Sequence, residues 1–485
     1  MTGRPLALPP RPHYIPPMNA PAPDRISSVF ALQKSGVERR RLEFGLAERK
    51  AALSALRDTI GRREGDIVAA LAADFGKPEA EAVLTEILPV LNEIRHTLRN
   101  LAGWMRPRRV APTMATLGTA SRIRPEPRGV CLIISPWNYP FSLALSPLVS
   151  CLAAGNSAIL KPSEMTPATS ALIAEIVAET FEPGLVTVVE GGKEASTALL
   201  ALPFDHIFFT GSPAVGKIVM EAAARHLASV TLELGGKSPT IVGPNADVAL
   251  AAKWVAFGKF ANAGQTCIAP DHLFVHESVK DAFVAALRER IAAAYGKDPL
   301  TSPHLARIVN EHHAGRLRGL LDDAKAKGAR VIDGGAEQGT RLAPTLIEAV
   351  TPEMEIDREE IFGPVLPVIG YHDLDAVIAR INAHPKPLAL YVFDRDRAFA
   401  ERIVAATSSG GVGVNLTVLH YSHPGLPFGG VNNSGIGASH GEYGFRAFSH
   451  ERAIMENRFS ALPMLFPPYT GARRRLIGLA KKFLG

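Results

Sequence analysis

The chain has 485 residues, enough for two or three structural units, and its 47% apolar and 21% charged content is that of a soluble globular protein and excludes a disordered one. Net charge is +6, yet the bases are dispersed apart from Arg39-Arg40-Arg41, Arg106 to Arg109 and Arg473-Arg474-Arg475, so no nucleic-acid partner is expected. Three cysteines cannot form a disulfide framework in so long a chain, which points to a reducing compartment, the cytoplasm by default; no metal site is expected.

In chain order, residues 1–23 are Pro-rich without a hydrophobic signal core and read as a flexible leader. From Arg40 to Phe75, Leu42, Leu46, Leu53, Leu56, Ile60, Ile67 and Leu71 recur at helical spacing, and Gly76-Lys77-Pro78 supplies a stop. A second helical stretch spans about Glu79 to Trp104. The Arg/Pro-rich segment Met105 to Pro127 then suits an extended arm or hairpin. Between Gly129 and Gly236, strands at Val130 to Ser135, Ser157 to Lys161, Leu185 to Glu190, His206 to Thr210 and Ser229 to Leu234 alternate with helices. Such alternation argues for a parallel, doubly wound sheet, which binds ligands at the carboxyl ends of its strands. The pattern resumes to about Leu416, with Ile241-Val242, Leu273-Val275, Arg330-Ile332, Val365-Ile369 and Leu388-Val392 as strand candidates of a second α/β domain.

Five segments carry chemistry-bearing residues. Ser135-Pro136-Trp137-Asn138-Tyr139-Pro140-Phe141 is either a rigid turn or a site where the Asn138 amide donates to an oxyanion, with the three aromatics lining an apolar channel or packing in the core. Lys161-Pro162-Ser163-Glu164 is either a surface turn or a nucleotide contact. Phe209-Thr210-Gly211-Ser212-Pro213-Ala214-Val215-Gly216 follows a strand and opens a helix, where Gly211, Ser212 and Gly216 let a phosphate approach backbone amides; a glycine-containing turn without phosphate is the alternative. In Leu232-Glu233-Leu234-Gly235-Gly236-Lys237, Glu233 either faces solvent or has its pKa raised towards the general-base range. Phe260-Ala261-Asn262-Ala263-Gly264-Gln265-Thr266-Cys267 presents Cys267, which is either a small buried hydrophobe or a nucleophile whose surroundings lower its pKa. Cys131 and Cys151, in apolar contexts, read as inert core residues.

The order and spacing of these segments resemble the aldehyde dehydrogenase superfamily, as do Glu359-Glu360-Ile361-Phe362-Gly363-Pro364, Pro427-Phe428-Gly429-Gly430-Val431 and Ser434-Gly435 downstream. The ending Phe448-Ser449-His450-Glu451-Arg452 is most similar to the class 3 branch, which includes fatty and coniferyl aldehyde dehydrogenases. Asn432-Asn433 departs from the family pattern where a glycine is usual. The resemblance implies two Rossmann-like doubly wound domains and a small β oligomerisation arm. An NAD(P)-binding domain would cover 24–105 and 130–232, a catalytic domain 233–416, the arm 106–129 with 417–457, and a tail 458–485. It further implies oxidation of an apolar aldehyde to the acid with NAD, NADP also being admitted. Cys267 would be the nucleophile, Asn138 the oxyanion donor and Glu233 the base for water. Lys161 and Glu164 would hold the adenosine ribose, Ser212 the pyrophosphate, Glu360 the nicotinamide ribose, and Phe362 would pack by the ring.

A homodimer is implied by the same resemblance. The tail, with Leu476, Leu479, Ala480 and Phe483 on one helical face among bases, suggests a weak membrane-surface contact, hence a cytoplasmic or membrane-peripheral location. Two other readings remain. A coenzyme A acylating dehydrogenase is disfavoured by Glu233, since only hydrolysis needs that base; a non-catalytic binding protein is disfavoured by the complete set Asn138, Glu233, Cys267 and Glu360.

Overall fold

The computed structural model describes residues 23–484, without the side chains of residues 23 and 482–484. The leader therefore lies outside the described residues but for its last position, as does the Phe483 side chain. A helix at Pro23–Ser35 comes first and is an addition to the sequence reading: Ile26 and Phe30 sit one turn apart, and Phe30 meets the Phe204 ring edge-on at 5.0 Å. Helices Val37–Glu43, Leu46–Arg62 and Glu64–Phe75 follow. Leu53, Leu56 and Ile60, then Ile67, Leu71 and Phe75, bury one face, and Gly76 ends the run in the left-handed conformation. The helical stretch after Pro78 is interrupted by one wide turn, Val83–Ile87, before continuing through Leu88–Trp104.

The first sheet has five parallel strands, Val130–Ile134, Ser157–Lys161, Val186–Val188, His206–Thr210 and Ser229–Glu233, with Gly435–Ile436 added antiparallel at one edge. Part of the 417–457 stretch, expected as arm, thus closes the edge of this sheet. The second and third of these strands lie on one side of Val130–Ile134, and the fourth and fifth on the other. The winding direction therefore reverses between Val130–Ile134 and His206–Thr210, and a crevice opens beyond their carboxyl ends. The helix Ser142–Ala154 fits against this sheet because nearly every residue in it is small or apolar, and it is buried almost all round. Cys131 and Cys151 are both fully buried.

The second sheet has seven strands, in the spatial order Arg330–Asp333, Thr345–Glu348, Val365–Tyr371, His272–His276, Pro239–Val242, Ala389–Phe393 and Gly411–Val414. Only the first pair is antiparallel. The strands at Thr345–Glu348 and Gly411–Val414 were not among the strand candidates, the latter because alternating glycines mask its valines. A third sheet is exposed: Arg108–Val110, Thr119–Pro127 and Ser449–Asn457 pair antiparallel, leaving the last strand with a free edge. The helix Gly471–Leu484 closes the described chain, and none of the described helices is long and apolar enough to cross a membrane.

Candidate active site

Asn138 and the Gly211-Ser212 turn follow the two strands that flank the crevice of the first sheet, and Glu233 ends the next strand along. Cys267 and Glu360 lead into His272–His276 and Val365–Tyr371, paired neighbours in the second sheet. The candidate residues thus come from facing ends of two sheets.

The cysteine loop is held under backbone constraint. Asn262 and Ala263 have φ of 53° and 52°, and Gly264 has φ +74°, where an added Cβ would lie 2.3 Å from the Gly363 carbonyl oxygen. Left-handed geometry costs about 1 to 2 kcal/mol at a non-glycine residue, so this loop persists only because its surroundings fix it. The fixing groups are visible. Asn138 Nδ2 donates to the Gln265 carbonyl at 3.0 Å, Asn262 Nδ2 donates to the Asn138 carbonyl at 2.8 Å, and the Asn262 N–H donates to Glu81 at 2.5 Å. Gln265 Nε2 bonds the Asn262 and Arg307 carbonyls while its Oε1 accepts the Val309 N–H. An amide carries two N–H donors, so Asn138 keeps one beyond its bond to Gln265.

Beneath this loop lies an ion pair that sequence reading missed. Lys77 Nζ is 2.6 Å from Glu86, both side chains being wholly buried, and it stands 4.1 Å from the centroid of the Tyr139 ring, whose hydroxyl meets Thr266 Oγ1 at 2.7 Å. In sequence Lys77 is merely the cation after a helix-ending glycine, and nothing local signals its burial. Of the three aromatics expected at a channel, Phe141 is in the core, while Trp137 packs against Phe362 at 5.3 Å and His313 at 4.9 Å.

Cys267 is partly exposed, and its own N–H and that of Ile268 face the sulfur. Its thiol is nonetheless pushed well up from its ordinary pKa, first by burial and then by the charges of Glu360 and Glu233. This corrects the expectation of a lowered thiol pKa: the resting group is neutral and needs a base in reach. Glu233, only 4% exposed, does not face solvent. Burial raises its pKa to about 7, opposed by a hydrogen bond that its Oε1 accepts from Ser439 Oγ. Glu360 is raised to about 8, again mainly by burial, against the Gly236 N–H that bonds it. Its carboxylate occupies the space a Gly235 side chain would fill, with Oε2 at 2.2 Å from that Cβ position.

The segment carrying Glu360 is clamped from behind. Lys237 Nζ bonds Asp271 at 2.7 Å and the Ile356 and Glu359 carbonyls at 2.9 and 2.5 Å, and Asp271 accepts the Ile361 N–H at 2.8 Å. Asp357 pairs with Arg380 at 2.5 Å and stands near His272 and His384 at 3.2 and 3.5 Å. These side chains are scattered in sequence, and only the fold assembles them.

The crevice suits a dinucleotide. At one end Lys161 Nζ is paired with Glu164 at 2.6 Å, the lysine buried and the carboxylate nearly half exposed. In the middle, Thr210 Oγ1 is buried without a partner, a Cβ at Gly211 would meet the Phe209 ring at 2.5 Å, and Ser212 caps the helix Pro213–Ala224 by accepting the Val215 N–H at 3.4 Å. At the other end stands Glu360. Carboxylates for sugar hydroxyls flank a helix N-terminus for phosphate, which is the donor set such a ligand needs. A Cβ at Gly216 would meet Leu234 at 2.8 Å, so the missing side chain permits close helix-to-sheet packing.

Residues 40–454 match the model of the aldehyde dehydrogenase family. The 4,4'-diaponeurosporen-aldehyde dehydrogenase of Staphylococcus aureus is 44% identical over 425 residues, covering 87% of this chain and 92% of its own. Aldehyde dehydrogenase family 3 member A2 of Mus musculus is 42% identical, covering 92% and 90%. A probable coniferyl aldehyde dehydrogenase of Pseudomonas aeruginosa is 40% identical, covering 93% and 98%. Among solved structures, the substrate-bound state of Staphylococcus aureus AldH superposes with a TM-score of 0.89 at 41% identity, covering 94% of this chain and 99% of that one. An aldehyde dehydrogenase of Mycobacterium tuberculosis complexed with NAD+ does so at 0.83 and 29% identity, covering 91% and 92%. An NADP-dependent glyceraldehyde-3-phosphate dehydrogenase of Bacillus halodurans complexed with NADP does so at 0.84 and 30% identity, covering 90% and 92%.

Proposed function

Because the chain belongs to the aldehyde dehydrogenase family and is an NAD(P)-dependent enzyme oxidising an aldehyde, we propose that Cys267 is its nucleophile, Asn138 its oxyanion donor and Glu233 its base. What supports this reading is a sulfur faced by two backbone N–H groups and by the charge of a buried carboxylate poised near neutrality, with the Asn138 amide anchored on the carbonyl of Gln265, two residues before Cys267, and an N–H to spare.

When bound, the nicotinamide cofactor supplies the hydride acceptor. Lys161 and Glu164 would hold its adenosine ribose, the Gly211-Ser212 turn its phosphates and Glu360 its second ribose, with Phe362 by the ring. Glu233 takes the Cys267 thiol proton as sulfur bonds the carbonyl carbon, while Asn138 and the Cys267 N–H hold the oxygen as it gains charge, donors fixed in a dry site being worth several kcal/mol there. In the second half of the cycle Glu233, having lost the thiol proton, takes a proton from the water that cleaves the thioester, and the C–S electron pair passes to sulfur as the acid is released.

The substrate is an apolar aldehyde, aliphatic of medium or long chain or aromatic. The names of the Staphylococcus aureus and Pseudomonas aeruginosa relatives agree with it. The domain limits follow the sheets, with the NAD(P)-binding unit on the first and the catalytic unit on the second. Two copies pair through the exposed third sheet, whose free edge at Ser449–Asn457 is open to further strands. The helix Gly471–Leu484, with Leu476, Ile477 and Leu479 exposed among bases, touches a membrane surface weakly.

The test measures growth of the reduced-nicotinamide band with NAD and NADP over short, long-chain and aromatic aldehydes, with product analysis in the absence of coenzyme A. Free acid from apolar aldehydes, lost in Cys267→Ala, supports the reading. Turnover that requires coenzyme A, or survives in Cys267→Ala, overturns it.

A further inference from the structure

Glu233 takes the Cys267 thiol proton in the first half of the cycle and is buried, so it has to lose that proton before it can act as base for water. Hydrolysis of the Cys267 thioester then puts the water oxygen on the acyl carbon and breaks the C–S bond with its electron pair passing to sulfur, and the water proton taken by Glu233 returns to that thiolate to restore the neutral thiol. The proton that has to reach bulk water is therefore the one taken from the thiol, and it has to leave before hydrolysis.

The structure holds a way out beside Glu233. A small cavity of about 10 Å³ adjoins the Glu233 carboxylate. That is about the space one water occupies, and a water persists in such a site only where two to four polar groups face it. The Glu233 and Ser439 side chains are at its wall, and Glu93 lines it as well. Ser439 Oγ bonds both Glu233 and, at 3.3 Å, the Phe428 carbonyl, which fixes the carboxylate towards this side.

Glu93 also lines the larger 120 Å³ cavity, with Asn92 and the exposed Leu84 and Leu88 around its mouth. The two cavities share Glu93, Ser146, Tyr421 and His440. Glu93 is buried and anchored, its Oε1 accepting the Gly441 N–H at 2.8 Å. Burial raises it to about 7, as it does Glu233, so both carboxyls can carry a proton near neutral pH. Neighbouring groups do not compete for it. His440 is held neutral by burial at about 4, the Tyr421 hydroxyl is pushed far up, and His96, near Gly441, is lowered.

We propose that Glu93 relays the proton that Glu233 takes from the Cys267 thiol, through a water in the small cavity, to solvent in the larger one, which frees Glu233 to act on water. Glu93 acts through Glu233 and touches neither substrate nor cofactor. The inference rests on the assignment of Glu233 as base for water.

The test follows decay of the acyl enzyme in a single turnover, by rapid quench and mass measurement, in wild type, Glu93→Gln, Ser146→Leu and Glu233→Gln. Glutamine keeps the acceptor for the Gly441 N–H, and Ser146→Leu fills the wall that the two cavities share while leaving both carboxyls in the chain. Glu93→Gln and Ser146→Leu are expected to form reduced nicotinamide in the first turnover at the wild-type rate yet lose their acyl group at least tenfold more slowly. Imidazole, small enough for the larger cavity, should restore Glu93→Gln in proportion to its concentration. Wild-type decay in both variants, or a slow decay in Glu93→Gln that imidazole does not relieve, overturns the relay. If Glu233→Gln itself decays normally, the assignment of Glu233 fails instead, and the relay with it.

Discussion

Removing the Ser439 hydroxyl tests how the pKa of Glu233 is set. Its bond to Glu233 stabilises the carboxylate, and hydrogen bonds to charged groups are worth about 1.5 to 3 kcal/mol. At 1.36 kcal/mol per unit, Ser439→Ala raises the Glu233 pKa by about one to two units. The starting value is about 7, so the new one is about 8 to 9. The sign follows from the role: a base works only when deprotonated, so hydrolysis falls on the acid side of its pKa, and that limb moves to higher pH. At pH 7 the deprotonated fraction drops from roughly one half to between about a tenth and a hundredth, slowing deacylation by about 5- to 50-fold, with recovery near pH 10. The assay is single-turnover decay of the acyl enzyme at a series of pH values. An acid limb that stays in place, or that moves to lower pH, would refute this account of Glu233.

Three further substitutions follow from the geometry. Lys77→Met leaves Glu86 buried without its partner and should cost about 3 to 5 kcal/mol in urea unfolding, much of which the double variant Lys77→Met/Glu86→Leu restores. Gly235→Ala places a Cβ 2.2 Å from Glu360 Oε2 and pushes that flexible carboxylate aside; NAD affinity, read by fluorescence titration, should fall by about tenfold with the melting temperature little changed. Glu164→Gln releases Lys161 from its 2.6 Å pair and should shift the NADP-to-NAD ratio of kcat/KM upward by about tenfold, because the freed ammonium can meet a 2′-phosphate that the carboxylate repels.

Much of the site was legible because its residues sit at strand ends, where period-2 apolar runs stop at glycine, proline or a lone polar side chain. Asn138, Gly211-Ser212 and Glu233 are all of this kind. Cys267 was legible from its flanks, but not its titration, since the burial and the two carboxylates that raise it come from distant segments. Lys77, Glu93 and Ser439 stayed hidden for the same reason: each looks like an ordinary polar residue of a helix end, helix face or loop until the fold buries it. The helix at Pro23–Ser35 was missed although Ile26, Phe30 and Gln33 share a face, because the proline-rich stretch before it set the expectation. Gly411–Val414 shows the limit of periodicity, as two glycines leave only two apolar side chains to count.

The central claim is that the acyl group is carried on Cys267 and released by Glu233. It is tested most directly by mixing Glu233→Gln with NAD and an apolar aldehyde, quenching within one turnover, and mapping the added mass by peptide mass spectrometry. The account predicts an acyl adduct confined to the Cys267 peptide, formed with one equivalent of reduced nicotinamide and persisting long after the wild-type adduct is gone. Reduced nicotinamide formed with no adduct on Cys267, or an adduct that clears as fast as in the wild type, would contradict it.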